Sequence, residues 1–206
     1  MTGIRSVSRR RAPRTRASGE RGAALVELAV ILPLLLIIAF GVVEYGNAWN
    51  RKLQIETAAR SGARVGSSLG NTRLADYGLL QGVKSALSDI GLQNVLYVEV
   101  FKSTATDGSR PTGSCASDTP TSVTNQCNVY TGAQLQSLTQ TDFSGTSSCD
   151  STAPDHYWCP LNRQSVQSLG PDYLGVWIKA DYVTITGLFK SPFYLTAAAI
   201  MRLEPK

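Results

Sequence analysis

Arg21-Gly22-Ala23-Ala24-Leu25-Val26-Glu27-Leu28-Ala29-Val30-Ile31-Leu32-Pro33-Leu34-Leu35-Leu36-Ile37-Ile38-Ala39-Phe40-Gly41-Val42-Val43 decides the architecture, because the 21 residues from Ala23 to Val43 carry a single charge, Glu27. At about 1.5 Å per residue, such a helix is roughly 31 Å long, the thickness of a bilayer's hydrocarbon core. Pro33 falls inside the run. In a membrane helix, neighbouring groups can satisfy the carbonyl a proline frees, and a bend is expected there. No second apolar run of this length follows, so the sequence predicts one span. Glu27 is the anomaly: a carboxylate in or near hydrocarbon is costly and usually has a task and a partner.

The charge divides sharply along the chain. Of the formal +5 over 206 residues, residues 1–22 supply +6, through Arg5, Arg9, Arg10, Arg11, Arg14, Arg16 and Arg21 against Glu20. The remainder carries −1. A nucleic-acid-binding protein would need a strongly basic folded part, so no nucleic-acid partner is expected. Arginines within about 20 residues of a span hold that end in the cytoplasm. The expected topology is a single-pass protein of the cytoplasmic membrane, N-terminus inside and C-terminal domain outside.

The cysteines agree with that topology. Cys115, Cys127, Cys149 and Cys159 all lie in the outer part. An even count in an exported, loop-rich stretch predicts two disulfides, with three connectivities open; the sequence-local pairing Cys115–Cys127 and Cys149–Cys159 is preferred. The gaps are too long for the close Cys-x2–4-Cys spacing of a structural zinc site, so no metal and no cofactor is expected.

Residues 1–20 are rich in Arg, Ser and Thr without apolar periodicity and are expected to be disordered. Past the span, Tyr45, Trp49 and Leu53 recur every four residues, followed by Ile55, Ala58, Ala59 and Ala63. This stripe predicts that the same helix continues to about Ser68, ending at Gly70-Asn71. Tyr45 and Trp49 suit the outer membrane–water interface. Thr72 is the expected cap of a second helix to about Asp89. Val95–Phe101 reads as a strand, as do Tyr173–Thr186 and Phe193–Leu203, the last two joined through Gly187–Pro192. Between them, residues 103–165 are Ser-, Thr-, Gly-, Asp- and Gln-rich, with a short helix near Gly132–Gln140. So long an irregular stretch needs clips, and all four cysteines fall there.

The predicted class is α+β. A long transmembrane helix extends into an outer domain with a second helix, a small antiparallel sheet and a disulfide-stapled loop region. The expected divisions are a basic cytoplasmic leader (1–22), a transmembrane helix (23–46), its extension (47–70) and the outer domain (71–206).

At this point the residues resemble a family. Arg21–Ala29 through Pro33, then Phe40-Gly41-Val42-Val43-Glu44-Tyr45-Gly46, then Ala58-Ala59-Arg60-Ser61-Gly62-Ala63-Arg64, look like the TadE-like pseudopilins of the tight-adherence (Flp pilus) machinery. Thr196–Glu204 is similar to that family's last strand. The match is strong over about 23–66, looser over 173–204 and absent from the Cys-rich middle. The resemblance implies cleavage by a membrane aspartyl prepilin peptidase between Gly22 and Ala23, which makes Glu27 the fifth mature residue. It also implies a role in assembling an adhesive pilus, with other pilin and pseudopilin subunits, the inner-membrane assembly platform and the lipid bilayer as partners. Leu28 follows Glu27 where the major Flp pilins have Tyr, which favours the minor, TadE-type subunit.

Glu27 can pair with the new α-amino group at Ala23 of a neighbouring subunit, a buried charge pair replacing two lone charges. The plain alternative is an acid at the positive end of a helix dipole. Pro33, Arg60, Gly62 and Arg64 join Glu27 as expected docking residues, small residues permitting close helix contact. For the last three the competing reading is an ordinary solvated helix face. His156 is the only histidine, and no Gly-x-Ser-x-Gly elbow, phosphate loop or His-Glu-x-x-His occurs, so no catalytic residue and no enzyme activity are expected. Two alternatives to the pilus reading stay open. Arg9-Arg10-Arg11 can belong to a twin-arginine export signal with a cut near Gly46-Asn47-Ala48, or the helix can anchor a bitopic extracellular binding domain.

Overall fold

The computed structural model describes residues 17–103, 109–143, 149–187 and 193–205. Of residues 1–20, expected to be disordered, 1–16 lie outside the described residues, as does most of the Gly187–Pro192 connection, whereas 17–20 are helical. The chain divides into two compact units, Met1–Val43 and Glu44–Lys206.

In the first unit the described structure is helical, the N-terminal part of α1 (Ala17–Leu69). The helix therefore begins before Ala23, at Ala17. Its side chains from Ala23 through Phe40 are exposed, Leu25, Val30 and Leu34 among them. No packing of this unit accounts for an apolar surface of that kind; a bilayer or neighbouring apolar helices would.

The second unit has its own core. The remainder of α1 buries Ile55, Ala58, Ala59 and Ala63, the inner side of the periodic stripe. α1 stops where Gly70 takes a φ of +59°, a left-handed conformation open to glycine, and its N–H closes onto Gly66 O at 3.0 Å. α2 (Ala75–Ala86) buries Leu79, Leu80 and Val83. It is shorter than expected at both ends, and Thr72 does not cap it: the Thr72 carbonyl accepts from Ala75 N, and Leu74 is the N-cap without a side-chain bond. A tight turn replaces the cap.

β1 (Val95–Ser103), β2 (Cys127–Thr131), β3 (Tyr173–Tyr182) and β4 (Phe193–Arg202) form one antiparallel sheet in the order β2-β1-β3-β4. The expected sheet had three strands; β2 is the fourth, a five-residue edge strand inside the stretch read as irregular. Leu174, Val176, Ile178, Ala180 and Tyr182 of β3 alternate onto the helix-facing core together with Val98 and Val100. The opposite face is also covered: Phe101, Trp177 and the cystine Cys115–Cys127 form a second cluster. Gly175 is needed there because a Cβ would strike the Phe101 ring. α3 (Gly132–Ser137), a short helix in the expected place, starts with a capping box: Thr131 Oγ1 accepts from Gln134 N, and Gln134 Oε1 accepts from Thr131 N.

The two disulfides link Cys115 to Cys127 and Cys149 to Cys159, with Cα separations of 6.2 and 5.6 Å. Between these staples runs a buried polar network. Arg163 pairs with Asp76 at 2.6 Å, both with fully buried side chains. Asn128 Nδ2 and Tyr130 OH each donate to Asp76 Oδ2 at 2.9 Å. The Trp158 carbonyl accepts from Asn128 and Arg163. Asp76 thereby ties α2 to β2 and to Arg163, and the Trp158 carbonyl brings in the Cys149–Cys159 segment, so that the buried carboxylate faces a buried guanidinium rather than standing alone.

Candidate functional site

The residues expected to carry processing and docking fall into two groups with different surroundings. Gly22, Ala23, Glu27 and Pro33 sit on the first unit's helix with exposed positions. A glycine inside a helix costs about 0.5–1 kcal/mol relative to alanine, so its presence asks for a reason. At Gly22 packing offers none: among the described residues no heavy atom lies within 4 Å of where a Cβ would stand.

Gly62 is the opposite case. This residue, expected at a subunit contact, lies buried beneath α2 of its own chain. A Cβ there would stand 2.5 Å from Val83 Cγ2, and one at Gly66 would stand 2.6 Å from Leu79 Cδ1. These glycines make the trough that α2 fills, and Ala58, Ala59 and Ala63 are buried in the same stretch of α1. In Ala58-Ala59-Arg60-Ser61-Gly62-Ala63-Arg64 the small residues thus serve internal packing and the arginines face out. Arg60 is exposed and reaches Glu56 at 3.5 Å, an i,i+4 pair contributing little in solvent. Arg64 is exposed as well.

Glu44 carries a role that its sequence position does not reveal. It is 2 % exposed, yet both carboxylate oxygens are satisfied. Tyr182 OH donates to Oε1 at 2.9 Å, and Ile185 N–H to Oε1 and Oε2 at 3.0 and 3.1 Å. Thr186 donates twice to Oε2, from N–H and from Oγ1, each at 2.9 Å. One carboxylate on α1 therefore clamps the segment leaving β3. The available signal was an acid immediately following an apolar run; its partners lie about 140 residues on.

Glu99 is buried on the sheet's second face against Arg110, whose guanidinium stacks on Trp177 at 3.7 Å. Burial pushes its carboxyl up to about 7, against the pull of Arg110. Glu99 lies with Cys115 and Cys127 in a group compact enough to hold a metal, but those sulfurs are spent in the disulfide. His156 rests on Tyr157, its Nδ1 2.6 Å from Ala153 O.

Residues 22–64 match the family described as TadE-like protein. The matched segment opens on Gly22, includes Glu27 and closes on Arg64. No curated protein and no solved structure matches the chain. The helix from Gly22 is long and apolar enough to cross a membrane.

Proposed function

We propose that this chain, TadE-like over residues 22–64, is a minor pilin-like subunit that takes part in assembling an adhesive pilus of the tight-adherence type. In this reading residues 1–22 are a cytoplasmic leader. A prepilin peptidase removes it between Gly22 and Ala23, and 23–46 remains as the span. Residues 47–70 continue the helix outside, and 71–206 form the outer domain. Two disulfides in that domain favour an oxidising compartment and hence an outside C-terminus. After cleavage Glu27 meets the Ala23 ammonium of a neighbouring subunit, within the inner-membrane assembly platform or the filament. Pro33, Arg60 and Arg64 remain available at exposed positions for further subunit contacts.

The observation that carries the reading is the coincidence at Gly22. The family match begins there, and the residue is a helical glycine that no neighbouring atom requires. N-terminal sequencing of the membrane-bound protein tests it: the mature chain is expected to begin at Ala23. Gly22→Leu is expected to accumulate full-length precursor when the peptidase is present. An intact N-terminus in the parent, or a start at Trp49, would replace this reading with a bitopic anchor or a twin-arginine-exported domain.

A further inference from the structure

We propose that the β3–β4 turn end of the outer domain is a second membrane contact, seated in the headgroup layer through Val183, Ile185, Phe193 and Tyr45. The inference rests on the reading of residues 23–43 as a span.

Four large apolar side chains stand open at this end, Val183, Ile185, Phe193 and Tyr45 being 63, 70, 49 and 68 % exposed. They border the same stretch of α1 in two groups. Tyr182 pairs with Phe193 across the strands, and Tyr45 and Phe193 line one pocket of about 140 Å³ with Ala48 and Thr184, while Val183 and Ile185 line a second, of about 220 Å³, with Asn47 and Arg51. An exposed apolar patch of this kind calls for an occupant.

Chain geometry identifies it as the bilayer. The apolar run ends at Val43, and the next residue is Glu44. Ile185 N and Thr186 N are hydrogen-bonded to that residue's carboxylate. The segment after β3 is therefore stitched to α1 at the residue where the chain leaves hydrocarbon, and it cannot stand far from that level. Both oxygens of Glu44 are turned into those bonds, so the patch does not present the carboxylate to lipid. Tyr45 stacks with Trp49 at a centroid distance of 6.3 Å, and both are residue types enriched at membrane–water interfaces. Apolar side chains at that depth bury about 5–10 Å into the headgroup and acyl boundary. A second copy of the chain would cover the same residues, but nothing in the clamp would require it to sit at the level where the span ends.

The test uses the full chain reconstituted in phosphatidylethanolamine/phosphatidylglycerol vesicles. A photo-crosslinking benzoylphenylalanine replaces Leu35, Ile185 or Leu169, one at a time. Leu35 lies in the span. Leu169 is as exposed as Ile185 but precedes the start of β3, whereas Ile185 follows its end. Lipid adducts are expected at 35 and 185, and at 169 a loss to background. Lipid capture at 35 with only protein adducts, or none, at 185 would overturn the seat and leave the span standing. No lipid capture at 35 would overturn the span reading, and the seat with it.

Discussion

Glu27 and Glu44 lie on the same helix, seventeen residues apart, in opposite circumstances. Glu44 is buried and its carboxylate is saturated by Tyr182, Ile185 and Thr186 of its own chain. Glu27 lies at an exposed position in the first unit, among apolar side chains that are themselves exposed. The glycines repeat the contrast. Gly62 is small because Val83 leaves no room for a Cβ, whereas among the described residues no heavy atom lies within 4 Å of a Cβ at Gly22. The second unit thus accounts for Glu44 and Gly62 internally, and nothing described in the first unit does the same for Glu27 and Gly22.

The largest expected effect belongs to Glu27. Glu27→Gln keeps the shape and removes the charge, leaving a neighbouring subunit's ammonium unpaired in low dielectric, a loss of about 3–5 kcal/mol. Association should fall about a hundredfold or more. The measurement is co-purification with pilus components, for a variant that is cleaved normally and unfolds at the parent's temperature. Assembly equal to the parent would reduce Glu27 to a helix-start acid and erase the contrast with Glu44.

Asp155 probes how closed the outer domain is. Burial, and then the Asp76 carboxylate, push its carboxyl up to about 7 from an ordinary value of 3.8. Between those values the folded domain holds a proton that the unfolded chain has released. Stability should therefore fall as pH rises from about 4 to about 7, by on the order of a few kcal/mol. Glu99, raised to about 7 by burial, acts in the same direction. Unfolding of the full chain in detergent across that range should show the decline, and Asp155→Asn should flatten part of it. An unchanged slope would mean that water reaches Asp155 in the native state.

The smallest effect sharpens the glycine comparison. Gly62→Val overpacks the α1–α2 contact and should cost about 1–3 kcal/mol, read as a lower unfolding temperature. Gly22→Ala should leave the outer domain's unfolding temperature unchanged. Equal tolerance at both positions would return Gly62 to the docking surface.

Much of the fold is legible in the sequence, and the limits are physical. The helix extension can be read because Tyr45, Trp49, Leu53 and Ile55 repeat along a local period, and β3 because its residues alternate. β2 escapes because Cys127–Thr131 is five residues long and set among Ser, Thr and Asn, too short to display a period. Gly62 reads as a subunit contact because a close helix neighbour demands a small residue whether that helix belongs to the same chain or another. Asp76 and Arg163 give no sign of each other across the intervening chain.

What depends on neighbours along the chain is therefore written in the sequence: the apolar run, the arginines before it, the Gly22-to-Glu27 spacing, the helical stripe and the α+β class. Which residues meet is a matter for the tertiary structure. Glu44 finds the end of β3, Gly62 finds Val83, and Asp76 gathers Arg163, Asn128 and Tyr130. A periodic pattern reports one element's own geometry. A buried charge or a close approach depends on the face another element presents, which no local spacing encodes.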